Sequence, residues 1–516
     1  MGGKLLEISN LSIFNNEESL VDGSDFSVDF GEVVGLFGES GSGKSVFSLF
    51  LLGLLDPGVF GFSFDSGAFN FSSGAFNLSS KNLADWLMVR KNSVSMIFQD
   101  PTTVLNPTMT CGKQIEEACF NIPLSDRFNY CLKLLSEVNI LDCEKTYFSF
   151  PHQLSGGQKQ RVVIAIALAS EPEFLIADEP TTSLDPSTQR SVLDLVLSLK
   201  KSRSFGVVLI SHDLNLIKYY CDRVYVFKNS RFLSFSDKSA EPYVSVLEKT
   251  LLKIKNRKRL GFSIKNIGFY KNPISSVGDS VFNIKNLSVS FSKKNSLFFA
   301  LKKISINVSF GDCLGVVGCS GSGKTTLGRV LCGLQKNYSG SFIFPGEGSF
   351  LKDSVQMVYQ DPFSSFNPKH TIKDSVVEVI KLYKTKYSVS DLFNLVSLNY
   401  SLAERFPHEL SGGQKQRASI ARVLASNPSV IVFDESLSAL DIKVQFSILE
   451  LIRFINSVLG ITVVFVSHDI NSVYYLCNKV VVLNGGEIID YFKGSDLFLE
   501  KRSSYTKKLI VDSNFI

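Results

Sequence analysis

Two stretches of the sequence carry glycines, a lysine and a hydroxyl at the spacing a polyphosphate needs. They are Gly38, Glu39, Ser40, Gly41, Ser42, Gly43, Lys44 and Ser45, and Gly318, Cys319, Ser320, Gly321, Ser322, Gly323, Lys324 and Thr325. Glycines permit close backbone approach and unusual dihedrals, so successive N–H groups can surround phosphate oxygens. Lys44 and Lys324 would bring point charge to the β- and γ-phosphates, and Ser45 and Thr325 would hold Mg²⁺. Each loop follows a short apolar run, Val33 to Phe37 or Leu314 to Val317, and precedes an apolar, helix-like stretch. Strand, glycine loop and helix in that order set a phosphate loop apart from a plain glycine turn.

Further along each half, an apolar run ends in two carboxylates: Phe174 to Ala177 leads into Asp178 and Glu179, and Val430 to Phe433 into Asp434 and Glu435. An unbroken apolar run is the pattern of a strand buried in a parallel sheet, whose C-terminal tip meets the ligand. Neighbouring side chains on a strand point opposite ways, so the paired acids can take different tasks. Asp178 and Asp434 would hold Mg²⁺ through water. Glu179 and Glu435 would polarise an attacking water, a general-base role typically worth about 100- to 10,000-fold in rate. An acidic pair at a strand end can instead cap the next helix; a phosphate loop upstream favours the metal reading.

The elements that must position these residues occur twice, because the chain repeats itself. MIFQDP (96–101) matches MVYQDP (357–362), PHQLSGGQKQR (151–161) matches PHELSGGQKQR (407–417), and VLISHD (208–213) matches VFVSHD (464–469). The copies are offset by 280 residues at Lys44/Lys324, 261 at Gln99/Gln360, and 256 at Ser155/Ser411, Asp178/Asp434 and His212/His468. One domain has been duplicated, with shorter connections ahead of SGGQ in the second copy. Domains are expected over 1–250 and 281–516, joined by a linker over 251–280. Two copies of SGAFN (66–70 and 73–77) read as a surface loop or hairpin. The basic run Lys249 to Arg259 reads as a solvated helix end and linker.

Composition narrows the class. Lys+Arg 54 against Asp+Glu 49 gives +5 over 516 residues that are 44% hydrophobic and 20% charged. That excludes a disordered chain and is too mild to argue by itself for a nucleic-acid or membrane partner. The nine cysteines lie without CxxC pairs, so no zinc module or disulfide scaffold is expected. Met1 to Phe14 does not read as a secretory signal, and no apolar run approaches the roughly 18–20 residues that cross a bilayer.

In this order the motifs resemble the nucleotide-binding domain of ABC ATPases, with Ser-Leu-Asp (183–185) and Ala-Leu-Asp (439–441) between the acidic pair and Ser-His-Asp. The resemblance implies two α/β P-loop domains, each a RecA-like core with an antiparallel β region and a helical subdomain carrying LSGGQ. It implies an intramolecular pseudo-dimer binding ATP and Mg²⁺ head to tail. Ser155, Gly156, Gly157 and Gln158 would complete the site of Lys324, and Ser411, Gly412, Gly413 and Gln414 that of Lys44. The start of the SGGQ helix suits a γ-phosphate, since its dipole and free N–H groups favour an anion. Resemblance also assigns Gln99 and Gln360 to the Mg²⁺ and attacking water, and His212 and His468 to the γ-phosphate. Phe14 and Phe291 stand where the family stacks an aromatic on adenine; core packing is the alternative for both. Val46 stands where the second half has Thr326, so a hydroxyl near the α-phosphate is missing and weaker nucleotide binding is expected at the first loop.

QDPTTVLNPTMT (99–110) and QDPFSSFNPKHT (360–371) are similar to the ATPases of dipeptide, oligopeptide and nickel importers, and EPYVSVL (241–247) and SSYTKKLI (503–510) to the Tyr-Thr segment closing each domain there. That implies two membrane permease subunits, an extracytoplasmic binding protein and a peripheral position on the cytoplasmic membrane face. No iron-sulfur cluster and no nucleic-acid partner are expected. The competing classes are a soluble tandem ATPase acting on ribosomes or in DNA repair, and a nucleotide-binding scaffold without turnover.

Overall fold

The computed structural model describes residues 3–15, 18–39, 41–79, 82–181, 184–235, 241–255, 280–293, 296–344, 354–362, 365–437, 440–499 and 501–513. Ser40, Ser183, Ala439, the 363–364 pair of the second Gln segment and 256–279 of the expected linker lie outside them. The chain forms two compact units, whose boundary in the sequence falls between Val246 and Leu247.

The first unit runs through β1 (Lys4–Asn15), β2 (Glu18–Asp29), β3 (Val33–Gly38), β4 (Phe60–Ser63), β5 (Ser66–Phe71), β6 (Gly74–Asn77), β7 (Val94–Ile97), β8 (Phe174–Asp178), β9 (Gly206–Ser211), β10 (Arg223–Lys228) and β11 (Arg231–Ser234). Its central sheet has the order β11-β10-β3-β9-β8-β7 and is parallel throughout except for β11. β3, β8 and β9 are buried along their whole length, which is why they read as unbroken apolar runs. Register brings their C-terminal tips to one edge: Phe37 lies opposite Ser211, and Asp178 opposite Ile210. The glycine loop, the acidic pair and Ser-His-Asp therefore emerge side by side.

β1 pairs with β2, β4 and β5 in a separate antiparallel sheet, and β5 turns back onto β6. The two SGAFN copies form that β5–β6 hairpin, with Phe71 opposite Gly74. Phe69 and Phe71 alternate into the core, as half-buried strands do. Helices Cys111–Ala118, Arg127–Glu137 and Cys143–Phe148 follow β7; the first two pack against the SGGQ helix, Gly156–Leu168, and the third packs against the first two.

The second unit repeats the plan through β12 (Ser280–Lys293), β13 (Ser296–Ser309), β14 (Cys313–Val317), β15 (Ser339–Ile343), β16 (Val355–Val358), β17 (Val430–Asp434), β18 (Thr462–Val466), β19 (Lys479–Asn484) and β20 (Glu487–Lys493). Its central sheet is ordered β16-β17-β18-β14-β19-β20, beside an antiparallel β13-β12-β15 sheet. Helices Ile372–Tyr383 and Val389–Leu395 precede its SGGQ helix, Gly412–Leu424, and helix Ser504–Ser513 packs against β20.

Candidate nucleotide-binding sites

The phosphate loops are built alike. Gly43 (φ 109°) and Gly323 (φ 102°) stand immediately before the helices Lys44–Leu51 and Lys324–Leu331. A side chain at Gly323 would put its Cβ 2.4 Å from the Ala300 carbonyl oxygen, so the turn needs glycine for both dihedral and space. Both lysines are buried and fold back across their own loops. Lys44 Nζ donates to the carbonyls of Gly38 (3.0 Å) and Glu39 (2.6 Å), and Lys324 Nζ to those of Gly318 (2.8 Å) and Cys319 (3.0 Å).

The acidic pairs close on these loops. Thr325 Oγ1 donates to Asp434 (3.2 Å), while Asp178 is hydrogen-bonded by Ser45 and lies 3.4 Å from the Ser48 hydroxyl. Burial pushes both aspartic acids above the usual carboxylate range, partly offset by those hydroxyls. Glu179 accepts from Gln99 Nε2 (2.9 Å) and lies 3.2 Å from His212 Nδ1. Glu435 accepts from Gln360 Nε2 (3.3 Å), with His468 Nδ1 at 3.6 Å and Lys324 Nζ at 3.3 Å. For Glu435 burial alone would raise the pKa, but His468 and Lys324 bring it down to about 2. For His212 burial opposes the charge, and the Glu179 carboxylate overrides it and raises the pKa. Both glutamates sit at φ 45°, a left-handed backbone that costs a non-glycine residue on the order of 1 kcal/mol or more. Their N–H groups are fastened at 2.9 Å to Ile210 and Val466 carbonyls of the neighbouring strands.

The sequence-derived residues Lys44, Ser45, Gln99, Asp178, Glu179 and His212 thus form one polar cluster, and Lys324, Thr325, Gln360, Asp434, Glu435 and His468 its counterpart. The hard oxygen donors of Ser45 with Asp178, and of Thr325 with Asp434, fit Mg²⁺, and burial raising both aspartates is the electrostatic strain a cation relieves.

The signature residues form a second construction in each unit. Ser155 caps helix Gly156–Leu168 by accepting from the Gln158 N–H, and Gln158 Oε1 accepts from the Ser155 N–H; Ser411 and Gln414 do the same for helix Gly412–Leu424. This reciprocal capping leaves other first-turn N–H groups open to an anion. A Cβ at Gly157 or Gly413 would come within 2.7 Å of Thr188 or 2.5 Å of Val444, so close packing also demands these glycines. Phe14 on β1 and Phe291 on β12 are 46% and 43% exposed. The Phe14 ring also covers Gly61, where a Cβ would meet it at 2.1 Å. Val46 packs against the core of its unit. Ser48 escaped the sequence reading, since a serine on an apolar helix carries no signal until β8 is placed beside it.

Fold and clusters define a tandem P-loop protein. The family model of the ABC transporter matches residues 21–182 and 301–438. The chain is 34% identical over 555 aligned residues to the glutathione import ATP-binding protein GsiA of Escherichia coli K12, covering 98% of this chain and 89% of that one. The GsiA of Shigella dysenteriae is 33% identical over the same shares. A solved structure titled RNase-L Inhibitor aligns with 91% of this chain and 87% of its own at 18% identity and TM-score 0.58, a likeness of fold alone. The chain belongs to the ABC transporter family and is an ATPase. Among the described residues no helix is long and apolar enough to cross a membrane.

Proposed function

We propose that this chain energises an importer of small peptides through separate membrane permease subunits, working at the cytoplasmic membrane face with an extracytoplasmic binding protein. The carrying observation is the match to glutathione import ATP-binding proteins along 98% of the chain; glutathione is itself a small peptide.

In this reading ATP lies between the glycine loop of one unit and the SGGQ helix of the other, so Ser155 and Gly157 serve Lys324, and Ser411 and Gly413 serve Lys44. Bound Mg²⁺ would be held by Ser45, Asp178 and Gln99, or Thr325, Asp434 and Gln360, and supplies charge neutralisation at the β- and γ-phosphates. Phe14 and Phe291 offer half-exposed rings for adenine. Glu179 and Glu435 accept the proton of the attacking water, and Gln99 and Gln360 orient these carboxylates. His212 and His468 lie within reach of the same carboxylates and hold them toward the γ-phosphate.

The test is purification from native membranes. Permease chains should accompany the protein, and reconstituted vesicles should take up glutathione or short peptides only with ATP. Co-purification with ribosomes and no permease would overturn the importer in favour of a translation-type ATPase.

A further inference from the structure

The segment SSYTKKLI (503–510) resembles a domain-closing motif, and its residue types alone give it no task. In the second unit it is built with care. Asp490 on β20 accepts from the Ser503 N–H (3.1 Å), the Ser503 hydroxyl (2.7 Å) and the Thr506 hydroxyl. Thr506 is fully buried, and its N–H returns to Ser503 Oγ at 3.1 Å. The Arg502 guanidinium lies 4.0 Å over the Phe492 ring and donates to the Asp496 carbonyl at 2.6 Å. These contacts fix the first turn of helix Ser504–Ser513 and the direction in which Tyr505 leaves it.

Tyr505 reaches the phosphate loop. Its hydroxyl oxygen accepts from the Cys319 N–H at 3.1 Å. The carbonyl of the same residue accepts from Lys324 Nζ at 3.0 Å and from the Ser322 N–H at 3.2 Å. Cys319 is thus held from both ends, by a phenol on its amide and by the loop lysine on its carbonyl. Gly318, just before it, leaves no slack: a Cβ there would lie 2.3 Å from the Leu483 carbonyl oxygen.

We propose that Tyr505 is a positioning residue for the second nucleotide site, holding the Cys319 peptide so that the carbonyl facing Lys324 sets where that ammonium stands. The end of the second domain thereby becomes part of the loop it covers. Removing the phenol oxygen strands an amide donor in a part-buried place and lets the peptide turn, and with it the anchor of Lys324. Nucleotide affinity should suffer, because the lysine then searches more positions before it meets a phosphate.

This inference rests on the reading of the Lys324 loop as a phosphate cradle, so the experiment checks both. In a Lys44→Ala background, remaining ATP binding reports the second loop. Adding Lys324→Ala should abolish it; if binding persists, the cradle assignment is what fails. Adding Tyr505→Phe instead keeps the ring and should raise the ATP concentration for half-saturation about 3- to 10-fold, the scale of one lost hydrogen bond. Binding is read at a temperature where both proteins are fully folded, so a merely structural role would not move it. Asp490→Asn, which loosens the anchor of the helix, should weaken binding by a smaller factor in the same direction. Unchanged half-saturation in Tyr505→Phe, with or without a lower melting temperature, would overturn the proposal.

Discussion

The first and second polar clusters use closely matched residue types on the same strand tips, yet their surroundings differ. Asp178 faces two hydroxyls, Ser45 and Ser48, whereas the position matching Ser48 in the second unit is Gly328 and Asp434 meets Thr325. Val46 packs into the core where the second unit offers Thr326. Gln99 and His212 stand 2.9 and 3.2 Å from Glu179, against 3.3 and 3.6 Å for Gln360 and His468 from Glu435. The two units keep the same lysine, glutamine, acidic pair and histidine and differ in the side chains around them. The two sites should therefore share a mechanism and differ in nucleotide affinity and in the tightness of the glutamate's hold.

The comparison breaks most sharply at the glutamates. Changing Glu179 and Glu435 together to Gln should preserve ATP binding and cut steady-state phosphate release by about 100-fold or more, the scale of a lost general base. Undiminished turnover in the double variant would remove the catalytic assignment, and the single variants show how the remaining rate divides between the sites. A smaller effect is expected from exchanging the loop hydroxyl. Val46→Thr should tighten nucleotide binding at the first loop about 3- to 10-fold, and Thr326→Val should loosen the second by a similar factor. Equal affinities at the two loops of the unaltered protein would remove the basis for that exchange.

The smallest effect is a titration. Because Glu179 raises the His212 pKa, the imidazolium should persist above the ordinary value of about 6.5. Its stabilising contribution is fully present below that value and fades as pH rises through the raised pKa. Proton NMR should show the His212 midpoint moving down in Glu179→Gln; an unmoved midpoint would mean the carboxylate is not its partner.

Much of this was legible in advance because each motif carries its own structural cause. Phe174 to Ala177 is unbroken apolar sequence since β8 is covered on both faces, and Ser155 three residues ahead of Gln158 spells out its own capping box. The SGAFN pair left loop and hairpin open, and alternating burial of Phe69 and Phe71 decides for the hairpin. What stayed hidden depends on contacts distant in sequence. Ser48 lies 130 positions from Asp178, and Tyr505 lies 186 from Cys319. Neither serine nor tyrosine announces a partner that only the folded chain supplies.

The left-handed backbone of Glu179 and Glu435 has a price in robustness. Glycine at either position would relieve the twist but would also remove the carboxylate that meets Gln99 and His212, or Gln360, His468 and Lys324. On the proposed reading, the proton-accepting carboxylate is what both halves gain for carrying that backbone.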